Sequence, residues 1–114
     1  MDVPSAERVR ATPPGDYLNR LVSCAIGVEH DGLRHAWSNH DSLAVELFTW
    51  LKRENIRFSI WDSELETDGG RNVCVELSWI RNKPSQRLVQ ITGVGKSFAE
   101  AMSKAVVLAW MKRK

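Results

Sequence analysis

The chain has 114 residues, of which 43% are apolar and 26% charged, and a formal net charge of +2. This length suits one domain with a single modest core, and the composition is that of globular chains, not of disordered or membrane ones. No apolar run approaches the roughly 20 residues that span a bilayer, and the opening MDVPSAERVR lacks the charged-then-apolar layout of a secretory signal, so a cytoplasmic protein is expected.

The near-neutral total hides a gradient. Four basic residues stand against five acidic ones in residues 1–40, four against eight in 41–80, and eight against one in 81–114. The C-terminal third is therefore basic, which marks either a surface for an anionic partner or a solvated rim.

Residues 1–15 hold Pro4, Pro13, Pro14 and Gly15 among small and charged residues and read as a flexible leader, so the single domain is expected to run from 16 to 114. From Asp16, the residues Leu18, Leu21, Val22, Ala25 and Ile26 recur at helical spacing, with Gly27 placed for a left-handed stop. A polar connection follows to Asn39. Ser38 and Asp41, three apart, fit a capping box that opens a second helix over about residues 40–54, whose stripe is Ala44, Leu47, Phe48 and Leu51. Asn55 suits a left-handed exit.

Ile56 to Trp61 switches to period two, with Ile56, Phe58 and Ile60 on one face and Arg57, Ser59 and Trp61 on the other. DSELETDGGR reads as a long acidic hairpin loop, and Val73, Val75, Leu77 and Trp79 form the apolar face of the next strand. A third strand is expected over Arg87 to Thr92. Gly93 and Gly95 then break it, Ser97 and Glu100 make a capping box, and the last helix is apolar nearly all round, with alanines at 101, 105 and 109 allowing close approach to a sheet.

The predicted fold is α+β in the order α-α-β-β-β-α: a three-stranded antiparallel meander packed by the second and third helices on the face of Phe58, Val75 and Val89. The opposite face, with Trp61, Cys74, Ile80 and Leu88 among polar residues, is half apolar. Either the first helix covers it or a partner does, and a homodimer is one such partner.

GVGKS between a strand and a helix suggests a phosphate cradle, but a full phosphate loop needs a glycine where Gln90 stands. Cys24 and Cys74 form no ligand pattern and read as reduced thiols. His30, His35 and His40 recur five apart, a spacing that brings them together on neither a helix nor a strand. Neither a metal nor a cofactor is expected, and no catalytic residues are assigned. Trp37 and Trp61 are the tryptophans expected nearest the surface, and they make candidate partner-binding anchors together with Arg57 and Leu88.

From residue 40 onward the order helix, three strands, helix, closing in G-x-G-K-S-x-x-E-A, resembles the double-stranded-RNA-binding domain. In that family paired lysines follow the serine that opens the last helix; here those positions are Phe98 and Ala99. If the likeness extends to function, Lys83, Arg87, Lys96, Lys104, Lys112, Arg113 and Lys114 would supply the contacts to duplex phosphates. DYLNRLVSCAIG, the start Trp37-Ser38-Asn39-His40-Asp41 and the helix SFAEAMSKAVVLAW more closely resemble the phage ABA-sandwich family of small phage and prophage proteins. That resemblance implies the fold and a phage or prophage origin, and it supplies no catalytic residues. The expected function is that of a non-enzymatic accessory protein binding a host or phage macromolecule, including inhibition of a host defence system; the alternative is a duplex nucleic-acid-binding module.

Overall fold

The computed structural model describes residues 4–67, 70–82 and 85–113, with the backbone alone at 63–67 and 70–71. Its elements run α1 (Ala6–Ala11), α2 (Asp16–Ile26), α3 (Asp41–Ala44), α4 (Leu47–Arg53), β1 (Arg57–Thr67), β2 (Gly70–Arg81), β3 (Arg87–Gly95) and α5 (Phe98–Arg113). The three strands form one antiparallel sheet in the order β1-β2-β3, so the α+β meander is as the alternation requires.

Helix α5 is the central packing element. Every residue from Ala99 to Ala109 is buried, as expected for a helix apolar on several sides. It lies on β2 and β3 and receives α1, α2 and α3 on its remaining sides. The Ser97 hydroxyl accepts the Glu100 N–H of the helix start at 3.1 Å, and the Glu100 carboxylate reaches back to the Lys96 N–H, one residue before the cap, at 3.0 Å. A third cap comes from far away in the chain: Asp41 Oδ1 accepts the Ala99 N–H at 2.9 Å.

Gly93 and Gly95 do not break β3, which runs through both. They face the alanine seam of α5. A Cβ on Gly93 would meet the backbone of Ala101 and Ala105, and one on Gly95 would lie 2.7 Å from the Glu100 side chain. The glycines of the apparent phosphate cradle are therefore occupied in letting the helix backbone approach the sheet.

Several sequence expectations are corrected. Residues 6–11 form a helix in place of a leader: Ser5 caps α1, and Val9 is fully buried in the core. Ser38 makes no capping box, because its hydroxyl and backbone are committed to Asn19, whose Oδ1 accepts from Ser38 Oγ at 2.6 Å and from Ser38 N at 2.7 Å. The second helix divides into α3 and α4 at Val45 and Glu46, where amides bond three residues back (Glu46 to Leu43, Phe48 to Val45) and re-phase the chain. The acidic loop is largely strand, since β1 extends to Thr67 and β2 starts at Gly70. Gly27 (φ 78°) and Asn55 (φ 61°) do take the left-handed conformation expected of them.

Asn19 also donates to Asn39 Oδ1 at 2.9 Å, and so fastens the connection after α2 to that helix. Asn19→Ala leaves the Ser38 donors without their acceptor, and a loss of about 1–3 kcal/mol in chemical denaturation is expected.

Candidate binding surface

Cross-strand register fixes which side chains share a face. The inner face, toward α5, carries Phe58 and Ile60 of β1, Val73, Val75, Leu77 and Trp79 of β2, and Val89, Ile91, Gly93 and Gly95 of β3. The outer face is built of rows: Trp61 beside Cys74 and Val94, Ser59 beside Glu76 and Thr92, Arg57 beside Ser78 and Gln90, and Ile80 beside Leu88. The first of the three helices expected from the sequence corresponds to α2, and it packs on α5. Among the described residues α1 borders this face at its β3 side, where Ala6 and Arg10 line a pocket with Glu76, Gln90, Thr92 and Val94.

Nine large apolar side chains are exposed among the described residues, and six of them, Phe58, Ile60, Trp61, Ile80, Leu88 and Val94, belong to the sheet. Trp61 is 44% exposed and Leu88 57%. They mark opposite ends of the outer face, separated by the polar rows and so by about 20 Å at the rise of a strand. Arg57 lies on the same face, exposed. Phe58 and Ile60 were expected under the helices but remain 47% and 42% exposed, because α5 lies mainly across β2 and β3, while β1 packs against α4, where Phe48 stacks 4.6 Å from Phe58.

Of the anchors proposed from sequence, Trp61, Arg57 and Leu88 thus share one open face and Trp37 does not. Trp37 is only 4% exposed; its ring stacks on His35 and its Nε1–H donates to Ser23 Oγ at 3.1 Å, so it belongs to the core.

The basic residues gather differently from their order in the chain. Lys52 and Arg53 end α4, Arg57 begins β1, Arg81 and Arg87 pair at the open end of β2 and β3, and Lys112 and Arg113 end α5. The topology brings all of these ends to one pole. Arg113 ties them together, donating to the Glu54 carbonyl at 3.3 Å and lying 5.6 Å from the centre of the Trp79 ring. Asp62, Glu64 and Glu66 lie along β1 toward the opposite end. Of the proposed phosphate contacts, Arg87, Lys112 and Arg113 are at the basic pole, and Lys96 is at the other end of α5, about 24 Å away along the helix. Lys83 and Lys114 lie outside the described residues. Lys104 is corrected: it is buried, with Nζ 2.7 Å from Glu100 Oε2 and 2.8 Å from the Arg10 carbonyl oxygen.

One other cluster has the outline of a catalytic set. Ser23 Oγ lies 2.9 Å from His30 Nδ1, and His30 Nε2 lies 3.6 Å from Asp16 Oδ1. Ser23 is 1% exposed and its hydroxyl already holds the Trp37 indole, so no substrate carbonyl has access to it and the network serves as a fastener of the loop. The Arg20 guanidinium, donating at 2.7 Å, holds the Asp16 carboxyl below the usual carboxylate range. His30 and His35 come within 6.0 Å of each other, centre to centre, but among the described residues no group of three or more His, Cys, Asp and Glu side chains is arranged to hold a metal ion. Cys24 and Cys74 are free thiols. No helix of the described residues is long and apolar enough to cross a membrane.

In comparisons with known proteins, the sequence matches no family model and no curated protein.

Proposed function

We propose that the chain is a non-enzymatic binding protein that captures a host or phage protein on the outer face of its sheet, using Trp61, Arg57 and Leu88 as anchors. The supporting observation is the concentration of exposed apolar side chains on the sheet, with a tryptophan and an arginine on one face, the residue types that dominate binding energy at protein interfaces. The resemblance to phage ABA-sandwich proteins supports a phage or prophage origin and work in the cytoplasm of a bacterial host, with blockade of a host protein, such as a defence component, as the consequence of capture.

The test is retention from host and infected-cell lysates on immobilised wild-type chain and on a Trp61→Ala, Leu88→Ser variant. A protein retained by the first, lost by at least tenfold on the second, and rebinding in purified form is the expected result. A partner held equally by both variants would contradict the assignment of the surface.

A second reading draws on the basic pole, where Lys52, Arg53, Arg57, Arg81, Arg87, Lys112 and Arg113 are all exposed. Such a cluster suits phosphate contact with a nucleic acid. It requires duplex affinity that falls steeply with salt and is weakened by Arg87→Ala with Arg113→Ala; a flat salt response excludes it.

A further inference from the structure

Among the described residues β1 is an edge strand, paired with β2 on one side only, and α4 packs on its inner face through Phe48. Side chains 57–62 are all exposed. Natural edge strands carry devices against pairing, such as proline, bulges, inward charges or short length. Over Arg57 to Trp61 there is no proline, the irregularity in pairing begins only beyond Ser63, and the sole charge is at the end, on Arg57. The other edge is better shielded: α1 stands beside β3, with Ala6 and Arg10 bounding a pocket against Ile91, Thr92 and Val94.

The occupant that fits this edge is β1 itself. When two copies of a strand pair antiparallel about a twofold axis normal to the sheet, opposed residues share a face, and the pairing centres on a single residue. Centring on Ser59 sets Phe58 against Ile60 of the second copy, and Ile60 against its Phe58, on the inner face. It sets Arg57 against Trp61, twice, on the outer face. Both kinds of cross-strand pair are favourable, one apolar and one placing a cation beside an indole. Centring on Ile60 would oppose Phe58 to Asp62, and centring on Phe58 would pair only Arg57 to Ser59, since the strand begins at Arg57.

The charge distribution selects the same arrangement. Antiparallel pairing lays the half of each β1 that begins at Asp62 alongside the end of the other copy where Arg57 begins β1 and Lys52 and Arg53 end α4. Opposite poles meet on both sides of the axis, and a parallel arrangement would set like against like.

We infer that a second copy of this chain pairs antiparallel on β1, centred on Ser59, and joins two three-stranded sheets into one. The two outer faces then form a single surface with the Arg57 and Trp61 pairs at its seam. The inference stands on the edge geometry and does not depend on the functional proposal.

The test combines light scattering of the full chain with crosslinking. The wild-type chain is expected at twice its 12.9 kDa mass at micromolar concentration, and Ile60→Lys at the monomer mass with an unchanged circular dichroism spectrum, since Ile60 is 42% exposed in the single chain. In a background with Cys24→Ser and Cys74→Ala, Ser59→Cys is expected to form an intermolecular disulfide under mild oxidation, because opposed residues of an antiparallel pair have Cα atoms roughly 4.5–5.5 Å apart, within disulfide reach. Ile60→Cys, off the axis, is expected to crosslink at least tenfold less. A monomeric wild type, a dimer indifferent to Ile60→Lys, or crosslinking that favours Ile60→Cys over Ser59→Cys would each overturn the inference.

Discussion

Gly93→Ala is expected to cost this protein about 3 kcal/mol, the upper part of the range for an added methyl group in a packed core. The new Cβ would meet the Ala101 carbonyl oxygen and lie 2.5 Å from the Ala105 amide nitrogen. Both are backbone atoms, so no side-chain rotation relieves the contact and α5 itself must shift. That helix also holds α1, α2 and α3, so the displacement reaches most of the core. Gly93 is not among the glycines with positive φ, which makes the effect one of room and not of backbone conformation. A denaturation midpoint equal to wild type would show that α5 does not sit as close to β3 as described.

The second large effect is expected at Lys104. Replacing it with methionine keeps the length of the side chain and removes the cation, leaving the Glu100 carboxylate, 8% exposed, without its partner 2.7 Å away. Breaking a buried pair from one side costs about 3–5 kcal/mol, because the remaining charge is stranded. Adding Glu100→Gln to Lys104→Met should recover most of the loss, since the amide still accepts the Lys96 N–H and no charge remains. Equal stability of the single variant and the wild type in urea denaturation would contradict the pairing. The same burial explains why Lys104, which the resemblance to duplex-RNA-binding domains would enlist, faces Glu100 and Arg10 instead of solvent.

Much of the fold was legible because the elements that carry it have strong local signals. The alternation from Ile56 to Trp61, the Ser97 and Glu100 cap and the all-round apolarity of α5 each have one physical reading, and each is realised. The errors lie where residues serve distant partners. Ser38 and Asp41 have the spacing of a capping box, yet Ser38 is bound to Asn19 and Asp41 caps α5. Helix α1 was hidden because six residues between prolines show too little periodicity, and Val9 is buried only once the tertiary fold brings α1 onto α5.

The candidate surface was half legible. Period two placed Trp61, Arg57 and Leu88 correctly on one face. It did not reveal that Phe58 and Ile60 would project beyond the helix layer, since the lateral position of α5 over β2 and β3 is set by Gly93 and Gly95 meeting its alanines. Trp37 was misplaced because a tryptophan in a polar loop looks exposed until Ser23 offers its indole a buried acceptor. The basic pole was visible in the chain only as a gradient; the meander converts it by returning the ends of α4, β2 and α5 to one side.

The central proposal, that this chain binds a partner protein through the outer face of its sheet, is tested most directly by amide hydrogen exchange of the chain alone and with a protein retained from lysate. Slowing confined to residues 57–61, 74–80 and 88–94 is predicted. Slowing confined to α2 and the connection that carries His30 and His35, with the sheet unchanged, would contradict it.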